Sequence, residues 1–211
     1  MSPIPNDPYC YPGTDVLINH GGYRAQAELN KFESDAVFLA SAALKARPIR
    51  GSFDTKRLQE THRRIFGNVY PWAGELRSGI GMMTKTRASG FVVAYGPSEN
   101  VPGALQAAFT ALKDEKFLRG LETAALASRL AHYYGELDAI HAFREGNSRT
   151  LRAFFADLAQ AAGHRLEWAR MGATEEDRQR LYQARDLAVM RGDSAQLTGL
   201  IAACLRRAPG A

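Results

Sequence analysis

The ten-residue stretch HAFREGNSRT, residues 141–150, places several reactive side chains in one short run. It contains a Gly-Asn-Ser turn that leads directly into an apolar helical pattern. The first turn of a helix leaves several backbone N–H groups without intrahelical acceptors, and the positive end of the helix dipole lies beside them. Gly146, Asn147 and Ser148 are therefore predicted to form an anion-binding site.

Two arginines follow this turn. Arg149 and Arg152 lie three residues apart, so both are predicted to project to the same side of the first helical turn. A planar guanidinium can bind phosphate oxygens in bidentate fashion, and two of them over a helix N-terminus suit a polyphosphate. The stretch therefore predicts a site for a ligand that carries several phosphates.

Three further side chains of the loop have roles in such a site. Glu145 precedes the turn, and a lone carboxylate beside phosphates is a common ligand of Mg²⁺, which draws its other ligands from substrate and water. His141 is a candidate base, because histidine can take a proton from a hydroxyl that attacks phosphorus. Phe143 lies between them and is predicted to anchor the loop to the core. Together these residues indicate phosphotransfer.

Each of these residues, taken alone, has an ordinary structural interpretation. A histidine at a helix end is often a cap, a glutamate can interact with the helix dipole, and paired arginines usually face solvent. The functional interpretation rests on their joint occurrence at fixed spacing.

Two apolar helical patterns bracket the loop. Apolar residues recur at steps of three and four over about 124–140 and again over about 148–162, where Gly163 supplies a stop. The loop is thus predicted to be held at both ends by core helices, which is what a rigid site needs.

The rest of the chain predicts a mainly α fold in one domain over residues 1–211, with one small β-hairpin. Residues 1–22 are rich in Pro, Gly, Asn and Tyr and are expected to form an extended lead-in segment over the core. Extended runs at 80–83 and 91–95 flank a polar turn and predict a hairpin at about 76–95. The remaining helices are predicted at about 24–46, 55–66, 104–112, 177–190 and 195–206.

The composition is that of a globular protein, with 45% hydrophobic and 23% charged residues. No stretch approaches the roughly 20 apolar residues of a membrane span, and the N-terminus lacks the order of a signal peptide, so a cytoplasmic protein is expected. Cys10 and Cys204 lie far apart and show no metal-ligand spacing. The net charge of +5 favours an acidic partner, but the basic residues are scattered, so nucleic acid is not favoured.

The loop and its helix resemble the Fic family motif HxFx(D/E)GNGRxxR. The chain matches the motif at His141, Phe143, Glu145, Gly146, Asn147, Arg149 and Arg152. It departs at Ser148, where the motif has a second glycine. The segments YPGTDVL (11–17) and YPWAGELR (70–77), and the hairpin after them, also resemble stand-alone bacterial Fic proteins.

This resemblance implies a Fic-type helical bundle and the transfer of AMP from ATP to a Ser, Thr or Tyr hydroxyl of a target protein. By position, His141 would be the base and Glu145 the Mg²⁺ ligand. Residues 146–148 would form the anion hole, and Arg149 and Arg152 would bind the β and γ phosphates.

The resemblance also implies that the hairpin is a flap, which holds the target segment by strand pairing. Lys85 and Phe91 are candidates for clamping that segment. Simple turn and packing roles for these two residues are the alternative.

Many Fic proteins carry an inhibitory helix with the motif (S/T)xxxE(G/N), whose glutamate pairs with the arginine at the position of Arg152. No Ser or Thr of this chain has Glu four residues later, and Thr110 with Asp114 is the nearest match. The resemblance therefore points to the branch whose inhibitor is a separate small antitoxin, which would make this chain a toxin. Topoisomerase subunits are candidate targets, because related stand-alone toxins modify them.

The serine at position 148 allows a second functional class in place of an enzyme, namely a catalytically weak Fic-like binding module with an altered anion hole. A branch that transfers phosphate has lysine in the anion loop, whereas the loop here is Gly-Asn-Ser, which favours AMP. The target, the use of UMP in place of AMP, and delivery of this bacterial protein into a host cell stay open.

Overall fold

A computed structural model describes residues 7–86, 90, 92–172 and 174–208. The helices in this part of the chain are α1 (Gln26–Ala46), α2 (Thr55–Phe66), α3 (Val101–Asp114), α4 (Thr123–Ile140), α5 (Asn147–Ala161), α6 (Glu175–Arg191) and α7 (Ala195–Cys204). The strands are β1 (Met83–Thr86), β2 (Val92–Tyr95), β3 (His164–Leu166) and β4 (Leu205–Arg207). The predicted mainly α fold is confirmed. None of the helices in the described ranges has the length and apolar character that a membrane span needs.

Helix α4 lies at the centre of the fold and packs against α3, α5, α6 and α7. The apolar stripe predicted for it is buried, since Leu126, Leu130 and Leu137 are each exposed by 3% or less. Phe154 and Phe155 of α5 belong to the same apolar core. Burial of each such side chain stabilises the fold by about 2 kcal/mol. The shared core therefore fixes the end of α4 relative to the start of α5.

A second apolar cluster lies between α1, α2 and the lead-in segment. Leu29 and Val37 of α1 pack in this cluster with Ile65 and Phe66 of α2. The described part of the lead-in contributes the buried side chains of Tyr9, Cys10, Val16 and Leu17. The lead-in therefore lies over the core, as expected from its composition, whereas residues 1–6 lie outside the described ranges.

The hairpin is confirmed, with β1 and β2 antiparallel and Met83 opposite Tyr95. Its first strand begins at Met83 and not at Ile80. Ile80 instead exchanges hydrogen bonds with Ser98 at the base of the hairpin, at 3.1 and 3.3 Å. Phe91 and residues 87–89 lie outside the described ranges.

A second two-stranded sheet was not predicted. Helix α7 ends at Cys204, two residues before the predicted end, and β4 then pairs antiparallel with β3. Leu205 faces the core and is 3% exposed. Pairing with a strand about 40 residues earlier replaces the last helical turn, and local sequence does not show such a contact.

The lead-in is tied to the loop between α4 and α5 by a buried ion pair. The Arg144 guanidinium donates to Asp7 Oδ2 from Nε at 2.8 Å and from Nη2 at 2.7 Å. The two side chains are only 8% and 5% exposed. The pair therefore connects the start of the described chain to the middle of the candidate site.

Removal of this carboxylate should destabilise the protein. Loss of one partner of a buried ion pair typically costs about 3 kcal/mol, because the other charge stays buried. Urea unfolding should therefore show a lower free energy for Asp7→Ala. Asp35→Ala, on the exposed side of α1, is the matched control and should leave stability unchanged. Equal stability of the two variants would contradict this role of the ion pair.

Candidate active site

The loop between α4 and α5 begins and ends with left-handed backbone. His141 caps α4 with φ of 51°, and Gly146 precedes α5 with φ of 80°. A Cβ on Gly146 would lie 2.4 Å from the Phe66 ring, so glycine alone fits both the conformation and the space. Gly146 thus allows α5 to begin close against α2, with its first N–H groups at the loop.

The Asn147 side chain closes the loop. The Phe143 N–H donates to Asn147 Oδ1 at 2.9 Å, and Asn147 Nδ2 donates to the Phe143 carbonyl at 2.7 Å. Both residues are buried, so the two bonds are shielded from water. The side chain of Asn147 is therefore used within the protein, and its backbone N–H is the group left for an anion.

His62 of α2 bridges this loop and the segment 70–77. The Gly74 N–H donates to His62 Nδ1 at 2.8 Å, which leaves Nε2 to donate to the Glu145 carbonyl at 3.0 Å. The imidazole stacks on Phe143 with ring centroids 3.9 Å apart. Burial lowers the pKa of His62 to about 4, so the ring is neutral at pH 7. His62 was not identified from the sequence, because nothing near it connects it to a loop 83 residues away.

His141 is buried against β2. Its ring stacks on Tyr95 with centroids 3.9 Å apart, and Arg77 Nε donates to its carbonyl at 2.7 Å. Neither ring nitrogen has a hydrogen-bond partner among the residues that the structure describes. Burial lowers the pKa of His141 to about 3, so the imidazole is neutral at pH 7 and has a lone pair available for a proton.

Glu145 keeps its negative charge. Burial favours the neutral acid, but Lys85, the Gly146 N–H and Arg149 together hold the pKa of Glu145 below its ordinary value. Gly146 donates to Oε1 at 2.8 Å, and Arg149 approaches the same oxygen at 3.5 Å. Within the described ranges, Oε2 accepts no hydrogen bond. An ionised carboxylate with one available oxygen fits a Mg²⁺ ion that takes its other ligands from phosphate and water.

Arg149 and Arg152 line the same cavity of about 1000 Å³ but have different partners. Arg149 donates to Glu33 of α1 at 2.5 Å and lies over the Phe66 ring. Arg152 has neither an ion pair nor a hydrogen bond to any described residue, and burial and the nearby charge of Arg185 lower its pKa. A half-buried guanidinium without a counter-charge is suited to an anionic ligand.

Ser148 makes its side-chain contact with α6. Arg185 Nη1 donates to Ser148 Oγ at 3.1 Å, and the same guanidinium donates to the Asp138 carboxylate at 2.9, 3.0 and 3.2 Å. Neither Arg185 nor Asp138 was identified from the sequence. Asp138 lies beside Leu137 among the apolar positions of a predicted core helix. A charged residue at such a position could have indicated a buried ion pair.

Lys85, one of the two predicted flap residues, lies close enough to the site for its charge to act on His141 and Glu145. The positive charge of Lys85 in β1 contributes to the lowered pKa values of His141 and Glu145. Phe91 lies outside the described residues, so its predicted role stays a prediction.

Two buried histidines with lowered pKa values should make stability depend on pH. His62 and His141 have pKa values of about 4 and about 3 in the folded chain, against an ordinary value of 6.5. Below pH 6.5 the unfolded chain binds protons that the folded chain excludes, so stability should fall from pH 7 to pH 5. Each histidine contributes up to about 1.4 kcal/mol per pH unit.

Urea unfolding at several pH values tests this expectation. His141→Gln should reduce the dependence on pH, because it removes one of the two groups. His132→Gln, whose side chain is 50% exposed, is the control and should leave the dependence unchanged. The same slope in His141→Gln as in the parent chain would show that burial of this imidazole is not the cause.

Several known proteins are similar to this chain over most of its length. Residues 52–159 match the sequence model of the Fic/DOC family. The protein adenylyltransferase VbhT of Bartonella schoenbuchensis is 37% identical over 171 residues, which cover 81% of this chain and 34% of VbhT. The probable protein adenylyltransferase Fic of Escherichia coli K12 is 35% identical over 163 residues, which cover 77% of this chain and 76% of that protein. The chain thus spans about a third of VbhT and about three quarters of the E. coli protein.

Solved structures show the same fold. The BepC protein of Bartonella tribocorum, a VirB-translocated effector crystallised with AMPPNP, has a TM-score of 0.81 at 23% identity, over 95% of this chain and 97% of that one. At this identity the likeness shows a shared fold. The family match and the curated relatives confirm the resemblance first indicated by the motif, and the chain belongs to the Fic/DOC family.

Proposed function

We propose that this protein is a protein adenylyltransferase, which transfers AMP from ATP to a hydroxyl side chain of a target protein and releases pyrophosphate. One observation carries the proposal: His141, Glu145 and Arg149 interact at the start of α5, and Arg152, one turn further along this helix, has no counter-charge among the described residues. The relatives VbhT and E. coli Fic are named as protein adenylyltransferases, which supports it.

The phosphates of ATP would bind at the start of α5. The backbone N–H groups of Asn147 and Ser148 and the helix dipole favour an anion there. The Gly146 N–H, which was predicted to join them, donates to Glu145 Oε1 instead. Arg152 would supply the counter-charge that the polyphosphate needs, and Arg149 would bind it from the α1 side of the same cavity. Glu145 would hold Mg²⁺, which when bound neutralises phosphate charge during transfer.

His141 would act as the general base. The hydroxyl oxygen of the target forms a bond to the α-phosphorus as the bond to the pyrophosphate oxygen breaks, and the hydroxyl proton passes to a ring nitrogen of His141. Burial opposes the imidazolium that forms, but the negative charge of bound phosphates favours it. Stacking on Tyr95 and the Arg77 hydrogen bond to the His141 carbonyl would hold the ring in position.

The hairpin would present the target segment. In the described part of the chain β1 and β2 form a sheet of two strands, so the outer edges can pair with a further strand. Tyr95 connects β2 to His141, which places an added strand near the base. Met82 and Val92 are 69% and 60% exposed and offer apolar contacts, and Lys85 and Phe91 are the proposed clamp.

His141→Ala should abolish AMP transfer while ATP still binds, because the base acts on the attacking hydroxyl and not on the phosphates. A general base typically accelerates a reaction about a hundredfold to ten-thousandfold, so the rate of AMP transfer should fall by at least about a hundredfold. Transfer from radiolabelled ATP and ATP affinity by calorimetry are the two measurements. A loss of ATP affinity as large as the loss of rate would contradict the role, and ATP binding without transfer in the parent chain would favour the binding-module alternative.

We also propose that the off state requires a separate antitoxin. The chain has no (S/T)xxxE(G/N) segment of its own, and Arg152 lacks a counter-charge within the described ranges. The cavity beside it is about 1000 Å³ and has apolar walls that include Leu44, Ile65 and Leu181. A partner helix could bury an apolar face there and place its glutamate on Arg152. Topoisomerase subunits stay the candidate targets of the uninhibited toxin.

A synthetic helical peptide with the (S/T)xxxE(G/N) segment should therefore inhibit AMP transfer by the parent chain. The same peptide with Gly in place of its Glu should inhibit at least about tenfold less well, since it leaves Arg152 without its counter-charge. Inhibition constants from the transfer assay are the measurement. Equal inhibition by both peptides would contradict the proposed contact.

A further inference from the structure

Ser148 stands where the family motif has glycine, and its hydroxyl has one contact in the described part of the chain. A serine in the first turn of a helix often caps the helix or donates to a carbonyl of the preceding turn. Ser148 does neither in this structure, and its Oγ accepts from Arg185 Nη1 at 3.1 Å. The hydroxyl of this residue is therefore oriented by α6 and not by its own helix.

Arg185 is fixed in place by Asp138. Arg185 is 6% exposed, Asp138 is fully buried, and three hydrogen bonds between 2.9 and 3.2 Å join the guanidinium to the carboxylate. Burial alone would lower the pKa of Arg185, but the Asp138 charge outweighs it and the pKa lies above the ordinary value. Arg185 is thus a permanent donor with a set direction.

This contact determines where the serine proton can point. A hydroxyl has one proton to donate and lone pairs that accept. The Arg185 N–H occupies a lone pair of Ser148 Oγ, so the proton must point away from the guanidinium. Ser148 is half-buried and lies one helical turn before Arg152, on the same side of α5. Arg149, the next residue, and Arg152, one turn further along, line the cavity of about 1000 Å³, so phosphates bound at the start of α5 would lie close to Ser148.

We propose that the Ser148 hydroxyl donates a hydrogen bond to a phosphate oxygen of the nucleotide, and that Arg185 is the positioning residue that directs it. The inference rests on the proposed nucleotide site at the start of α5. A glycine at this position offers its backbone N–H alone, whereas serine adds a second donor. Asp138 offsets the charge of Arg185, so the added donor brings no further unpaired cation beside Arg152.

Ser148→Ala tests the hydroxyl. It should weaken ATP binding about fivefold, which is the usual effect of losing one hydrogen bond. Ser148→Gly, which restores the family residue, should weaken it equally, and Ser148→Thr should retain most of the affinity. Tripolyphosphate should follow ATP, whereas adenosine, which has no phosphate, should bind all variants alike. Ser128→Ala, at an exposed position of α4, is the control for loss of a helical serine.

A double-mutant cycle tests Arg185. Arg185→Lys keeps a cation for Asp138 but lacks the planar fork that holds both partners. It should weaken ATP binding about fivefold in the parent chain and have no further effect in Ser148→Ala, because it acts through the hydroxyl. Thermal unfolding identifies variants that fail to fold. If Arg185→Lys does not fold, the ATP affinities of the three Ser148 variants still test the proposal.

Three results would overturn the proposal. The first is ATP affinity in Ser148→Ala that stays within about twofold of the parent value. The second is an equal loss of adenosine affinity, which would indicate a structural role. The third is additive effects of Ser148→Ala and Arg185→Lys. A chain that shows the predicted ATP dependence but transfers no AMP would refute the proposed enzyme activity and support this inference.

Discussion

Two reciprocal hydrogen bonds between the Asn147 side chain and the Phe143 backbone, at 2.7 and 2.9 Å, hold the geometry on which the candidate site depends. They close residues 143–147 into a turn, so α5 begins with its free N–H groups and its positive dipole end at the loop. Gly146 supplies the left-handed backbone that the turn needs, and His62 fixes the Glu145 carbonyl from α2. Because the turn is buried and closed by these hydrogen bonds, it can hold the first backbone N–H groups of α5 in one fixed direction.

The charges around this turn are distributed unequally. Arg149 lies beside two carboxylates, Glu33 and Glu145, whereas no carboxylate among the described residues pairs with Arg152. An anionic ligand therefore gains most on the Arg152 side of the shared cavity. Under the proposed inhibition, one glutamate of a partner would compete with phosphate, since each would supply the counter-charge that Arg152 lacks within the described ranges.

Local sequence predicts the parts of this structure that depend on local physics. The apolar periodicity of α4 and α5 and the glycine at the helix start each specify their own conformation, and the structure confirms them. The hairpin is also confirmed, but its first strand is Met83–Thr86 and not residues 80–83. The supports of the loop, His62 and Arg185, could not be predicted, because packing of distant helices selects their partners. β4 was missed for the same reason, since its partner strand lies elsewhere in the chain. The chemical roles of the loop residues are predictions, because the structure shows the positions and charges of these residues and not the reaction itself.

AMP transfer from ATP to a protein hydroxyl can be tested by mass spectrometry of bacterial lysate proteins incubated with the purified chain, ATP and Mg²⁺. We expect AMP attached through a phosphoester to a Ser, Thr or Tyr side chain of a small number of proteins, with pyrophosphate released in equal amount. Attachment of phosphate in place of AMP, or no modification by a chain that is folded and binds ATP, would contradict it.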